Sequence, residues 1–298
     1  MVAQPDNLEH KLVKTNGVTL HTVLAGPEDG PAVLLLHGFP EFWYGWRRQI
    51  GFLAAHGFRV IAPDQRGYNL SDKPRDVQAY RISELARDAV GLADALGCDQ
   101  INLVGHDWGA AVAWWVATLF PERLRRLVIL NVPYPTLMAK AYRSGNLEQI
   151  LKSWYIYYFQ IPWLPETALS ALNFQGLEQA LRRSGRQDTF TAEDFARYKE
   201  AWSQPGAVTA MLNWYRAAAR GGVFAARPAS GERRSTRIVT PTLILWGERD
   251  IALSKSLVQP SLDLCDDGRA VFFPHATHWV QHDEADAVNA HLAAFLGG

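Results

Sequence analysis

Gly105-His106-Asp107-Trp108-Gly109 is the stretch on which the reading of the fold turns. It directly follows the apolar run Ile101–Val104 and opens an uncharged, apolar segment reaching Phe120, a pattern of strand, sharp turn and helix. Glycines on both sides of the central residue permit a turn so tight that a Cβ at either position would collide with a neighbouring strand or helix. The central side chain is then pushed into the open at the edge of the sheet. Here that side chain is a carboxylate, Asp107. A carboxylate so placed is a candidate nucleophile for displacement at a saturated carbon, giving an ester that water then cleaves. A serine would attack an acyl carbon instead. The plain alternative is that Asp107 is only an acidic helix N-cap.

Working outward, further short apolar runs read as buried strands: Ala32–Leu36, Arg59–Ala62 and Leu127–Asn131, then Thr242–Trp246 and Ala270–Phe273. Between them lie helical periodicities. The clearest spans Ser83–Leu96, with Ser83 as expected N-cap and Gly97 just past its end, and Asp283–Leu296 reads as a closing helix. This alternation predicts an α/β class with a mostly parallel central sheet covered by helices. From Tyr134 to Ser235 the strand signal vanishes and the chain turns aromatic and helical, ending in a polar, basic stretch, Ala226–Arg237, expected as a linker. The expected organisation is a core of residues 1–133 and 236–298 interrupted by a helical cap, or lid, of 134–235. Such a lid belongs over the carboxyl ends of the strands, where open α/β sheets bind ligands.

Composition narrows the function. The 298 residues are 48% hydrophobic, enough to fill a substantial core, and 30 Lys and Arg balance 30 Asp and Glu. Nucleic-acid binding normally requires clustered basic excess, so no nucleic-acid partner is expected. Two cysteines, Cys98 and Cys265, cannot form a disulfide framework or a four-thiolate metal site. Met1–Asp6 has neither a basic nor an apolar leader region, and the run Ala110–Phe120 is about half a membrane span. A soluble, cytoplasmic protein without a membrane partner is the expectation.

Three more segments carry chemistry. His37-Gly38-Phe39-Pro40 follows a strand end and nominates the backbone N–H of Phe39, with that of Trp108, as an oxyanion hole. Trp246-Gly247-Glu248-Arg249-Asp250 ends a late strand, and His275-Ala276-Thr277-His278-Trp279 follows the next. Nucleophile, acid, histidine is the chain order this turn demands. Asp250, farther past its strand than the rival Glu248, would orient His278, which would deprotonate the hydrolytic water. His275 at the strand end and His282 at the last helix are the rival bases, read as surface or packing residues. Phe39, Trp43, Trp108, Phe159 and Trp279 are candidate pocket walls, and Asp64-Gln65-Arg66-Gly67 reads as a structural turn.

Together the His37–Glu41 segment, the Asp-centred elbow, the late Gly-x-x-Asp and the His278-Trp279 pair resemble the α/β-hydrolase-fold epoxide hydrolases from about Asn16 to the last helix. The resemblance extends to the lid. That family holds the epoxide oxygen with two lid tyrosines, in Tyr-x-x-Tyr-Phe-Gln and Asn-Trp-Tyr-Arg segments. Here these read Tyr155-Ile156-Tyr157-Tyr158-Phe159-Gln160 and Asn213-Trp214-Tyr215-Arg216, which carries the roles to Tyr155 and Tyr215. The chemistry asks for such groups independently. Ring opening releases a poor alkoxide leaving group, and a phenol is an apolar donor still protonated at neutral pH. The bland alternative for any lid aromatic is simple packing.

The implied reaction adds water to a small-molecule epoxide, giving a vicinal diol. No metal-ligand spacing and no G-x-G-x-x-G after a strand occurs, so no cofactor is implied. The expected assembly is a monomer or a homodimer. The nearest alternative is a haloalkane or haloacid dehalogenase with the same Asp-His-Asp set. The tyrosine motifs disfavour it, and the absence of Arg just after Asp107 counts against a haloacid. A non-catalytic ligand receptor on the same fold is more distant, because no expected residue is missing.

Overall fold

A computed structural model of the protein describes residues 8–145, 152–221 and 237–298. Of the expected linker Ala226–Arg237, only Arg237 falls within them. Strands β1 (Glu9–Thr15), β2 (Val18–Ala25), β3 (Ala32–Leu36), β4 (Arg59–Pro63), β5 (Ile101–His106), β6 (Leu124–Leu130), β7 (Thr242–Gly247) and β8 (Gly268–Phe273) form one sheet. Their order is β1-β2-β4-β3-β5-β6-β7-β8. The pairings of β1 with β2 and of β2 with β4 are antiparallel, and all others are parallel. Every residue of β5 and β7 is buried, which explains why these strands read as unbroken apolar runs rather than alternations.

Helices α1 (Arg47–Ala55), α2 (Ile82–Ala95) and α3 (Trp108–Leu119) lie in the first half of the chain. The second half closes with α9 (Val258–Leu262), α10 (Val280–Asp283) and α11 (Ala285–Gly297). Between β6 and β7, the described residues form helices and no strand: α4 (Pro135–Arg143), α5 (Trp154–Tyr158), α6 (Leu164–Ser184, broken at Ala171–Phe174), α7 (Ala192–Trp202) and α8 (Ala207–Ala219). Indole and phenol donors tie this helical insertion to loops of the sheet. Trp202 Nε1 donates to the Pro40 carbonyl (2.6 Å), Tyr198 Oη to Glu41 (2.6 Å) and Trp214 Nε1 to the Arg66 carbonyl (2.9 Å).

Three elements differ from expectation. The structure adds the β1–β2 hairpin, turning at Asn16-Gly17 with φ of 40° and 76° at the two turn residues. Asn-Gly is the strongest short hairpin signal because both positions need positive φ. Helix α2 begins one residue before the expected cap. The buried Ile82 starts it, Arg81 takes the N-cap conformation, and Ser83 lies inside the first turn. The closing helix is split in two at Glu284, where φ is −127°. The preceding Asp283 carboxylate instead holds the Thr277 amide and hydroxyl. The Asp64–Gly67 turn is held by buried bonds: Asp64 accepts from the Trp43 amide and Asn69, and Arg66 pairs with Asp88 on α2 at 2.6 Å.

Candidate active site

The parallel strands end together, so the loops after β3, β5, β6, β7 and β8 gather at one edge of the sheet. Asp107 joins β5 to α3 with φ 50° and ψ −121°, a strained conformation that lifts its side chain off the sheet. A Cβ on Gly109 would run into the carbonyls of Leu36 and His37, and one on Gly38 would fall on the side chain of Asp107 itself. That is why this turn and the β3 loop require glycine. Although Asp107 occupies the N-cap position of α3, its carboxylate makes no capping hydrogen bond. Its Oδ1 accepts the Phe39 amide instead, at 2.8 Å. The loop carrying that amide is braced by His37, fully buried, whose Nε2 accepts from the Gln65 amide at 3.0 Å.

Asp250 and His278 arrive from the β7 and β8 loops. Asp250 is wrapped by donors. Its Oδ1 accepts the amides of Ala252 (2.7 Å) and Leu253 (2.9 Å), and its Oδ2 accepts Asn131 Nδ2 (2.7 Å) and His278 Nδ1 (2.8 Å). Burial pushes its pKa up, but the His278 charge and these hydrogen bonds reverse the sign and leave it lowered. On the other face of the imidazole, His278 Nε2 lies 3.6 Å from Asp107 Oδ2. Burial alone would depress His278, yet the carboxylates of Asp250 and Asp107 outweigh it and raise the pKa to about 10.

A testable consequence follows from the sign. A histidine whose folded pKa exceeds its unfolded value of 6.5 stabilises the fold most fully below pH 6.5 and loses that contribution as pH rises to about 10. NMR of the His278 ring nitrogens should therefore report an imidazolium across the neutral range. Its titration should move sharply downward in Asp250→Asn. A ring already neutral at pH 7 in the unmodified protein would contradict this electrostatic picture.

A cavity of about 50 Å³ opens above Asp107, walled by Trp108, Ala111, Val132, Pro135, Met138, Ile156 and Leu253, with Tyr155 and Tyr215 facing in. The two phenol rings lie 5.8 Å apart between centroids, nearly perpendicular. Burial first, then the nearby charge of Asp107, pushes the Tyr215 pKa well above 10, while a Trp108 indole N–H acts in the opposite sense. The Tyr215 phenol thus keeps its proton across the physiological range.

The structure does not bring every expected wall to the cavity. Phe39 and Phe159 stand behind it, packed on Tyr215 at 5.2 and 5.0 Å between ring centroids. Trp279 turns away: its indole donates to Ser184 Oγ (2.9 Å) and its ring packs on Phe190, bracing the His278 loop from outside. Trp43 lines a separate cleft with His10 and His21. The rival triad residues also sit elsewhere. Glu248 pairs with Lys255, His275 meets Arg249, and His282 is buried against Glu41 at 2.8 Å.

Residues that the sequence did not nominate complete the site. Asn131, at φ 54°, binds both Asp250 and the Gly247 amide (2.8 Å). His106 Nε2 lies 2.9 Å from the His278 carbonyl and its Nδ1 contacts Gln281 at 3.0 Å, within a buried network that includes Glu41. Asn131 directly follows β6, the strand beside β7, and closes an apolar run, the only signal for it. Among the described residues, no group of three or more His, Cys, Asp or Glu could hold a metal ion, and no helix is long and apolar enough to cross a membrane.

Comparison with known proteins agrees with this architecture. A family profile described as alpha/beta hydrolase fold matches residues 31–285. The AB hydrolase superfamily protein YfhM of Bacillus subtilis is 46% identical, over 98% of this chain and 99% of the relative. Epoxide hydrolase 2 of Caenorhabditis elegans is 40% identical, over 97% of this chain and 80% of its own length. The crystal structure of Bacillus megaterium epoxide hydrolase with an inhibitor superimposes with a TM-score of 0.87 at 30% identity, covering 97% of this chain and all of that one. The chain belongs to the α/β-hydrolase-fold epoxide hydrolase family.

Proposed function

We propose that the protein adds water to a small epoxide to give a vicinal diol through an ester on Asp107, within a cap formed by residues 134–235 on a core of 1–133 and 236–298. The observation that supports the reading is one cavity whose lining includes Asp107, Tyr155 and Tyr215 together. Asp107 Oδ2 attacks an epoxide carbon while Oδ1 is held by the Phe39 amide. The breaking C–O bond leaves its electrons on oxygen, which takes a proton from a phenol. Ester formation removes the Asp107 charge that helps hold the proton on His278, so the imidazolium can release it and replace the one the phenol gave. His278, steadied by Asp250, then takes a proton from water, and hydroxide adds to the ester carbonyl. The Phe39 and Trp108 amides receive the developing oxyanion. Collapse expels the diol oxygen, which takes the proton of the carboxylic acid formed with it, leaving Asp107 a carboxylate and His278 an imidazolium.

The dehalogenase alternative would need N–H donors facing a halide, whereas the polar groups above Asp107 are phenols and the Trp108 indole is engaged with Tyr215. Buried free Cys98 and Cys265 suit the reducing cytoplasm. The substrate and water are the expected partners, and the enzyme acts as a monomer or homodimer.

A single turnover in ¹⁸O-water tests the route. With enzyme in excess, the first diol should carry unlabelled oxygen from Asp107 and the label should appear in the enzyme. Labelled diol from the first turnover would mean direct attack by water.

A further inference from the structure

Tyr155 sits on α5, a helix of five residues in which none is fully buried. Trp154 and Tyr157 are 65% and 63% exposed, and only one face of this short element, Tyr155, Ile156 and Tyr158, packs half-buried against the core. Polar anchors do the rest. Beyond its carboxyl end, Gln160 Nε2 donates to the Tyr215 carbonyl (3.3 Å), and Arg216 donates to the carbonyls of Phe159 (3.0 Å) and Ile161 (3.1 Å). These bonds join α5 to α8, the helix that carries the other phenol. They do not join it to the sheet edge that carries Asp107.

Lys152 makes such a connection at the amino end. Its half-buried ammonium donates to the Asp250 carbonyl (3.2 Å) and the Leu253 carbonyl (3.4 Å). The same loop supplies the carboxylate that orients His278 and, through Leu253, a wall of the cavity. We propose that Lys152 is a positioning residue that sets the distance between the Tyr155 phenol and Asp107 by pinning the start of α5 to the Asp250–Leu253 loop. Nucleophile and proton donor come from separate parts of the chain, and their reaction through one small substrate is sensitive to errors of an ångström. Lys152 does not line the cavity and acts only through Tyr155.

This inference rests on the proposed role of Tyr155, and the test separates the two. Rapid-quench single turnovers of the full chain with a styrene-type epoxide measure ester formation and ester hydrolysis separately. Lys152→Met, with Lys152→Gln as a second variant, should slow ester formation about tenfold and leave hydrolysis of the ester within about twofold. In a Tyr155→Phe background the same substitutions should change ester formation less than about twofold, because the group being positioned is gone. Wild-type ester formation in the single variants, parallel loss of both steps, or a full tenfold loss persisting without the Tyr155 hydroxyl would each overturn the proposal. Absence of any ester in the unmodified enzyme would instead sink the proposed function.

Discussion

Replacing both Tyr155 and Tyr215 by Phe is expected to slow epoxide opening at least about 10³-fold while leaving the protein folded. The expectation follows from the chemistry of the leaving oxygen. An epoxide C–O bond breaks to an alkoxide, and in a cavity otherwise walled by apolar side chains and Trp108 the two phenols that share its lining with Asp107 are the donors the proposed route calls on. Each ring would remain. Phe at 215 keeps the edge contacts with Phe39, Trp108 and Phe159 at 5.0–5.2 Å between centroids. Loss of each hydroxyl should alter stability by only about 1 kcal/mol, read from urea unfolding. Single variants should retain intermediate rates, since one donor still reaches the oxygen. A double variant that opens epoxides within tenfold of the wild-type rate would remove both tyrosines from the mechanism.

His278→Gln carries the second large effect. Steady-state turnover should fall at least about 10³-fold, whereas the first, ester-forming step should survive within about tenfold. The asymmetry is expected because, in the proposed route, His278 contributes differently to the two steps. In the resting site its ring lies between two carboxylates, 2.8 Å from Asp250 and 3.6 Å from Asp107. Only the second step needs a base, and glutamine can hydrogen-bond but cannot accept the water proton. Stopped-flow should therefore show a burst of one ester per enzyme followed by almost no diol. Equal loss of both steps would assign His278 to ring opening instead.

Much of this arrangement is legible in the sequence, and the reason is local backbone geometry. Gly105, Gly109 and Gly38 are required by close approaches that leave no room for a Cβ, so a short pattern identifies the turn and its partner loop. Asp250 and His278 follow from strand order, because parallel strands deliver their end loops to one edge. Tyr155 and Tyr215 are different: their segments are distinguished by family resemblance, since a lid tyrosine has no local signature separating it from packing. What the sequence hides is set by packing across long separations. Asn131 reaches Asp250 from the neighbouring strand end, 119 residues away. Ala111, Val132, Met138 and Leu253 look like core residues and become cavity walls only once α3, α4 and the β7 loop are assembled. Trp279 shows the converse. The sequence offers it as a candidate wall, but its indole bonds Ser184 and its ring packs on Phe190 instead. The Asn16-Gly17 hairpin was readable by the same local logic as the elbow.

The covalent role of Asp107 is tested most directly by intact-mass analysis of His278→Gln after brief exposure to a styrene-type epoxide. The predicted result is a gain of one substrate mass per chain, localised by peptide mapping to the segment containing Asp107. An unmodified mass in the variant, alongside full turnover by the wild-type enzyme, would contradict an ester intermediate.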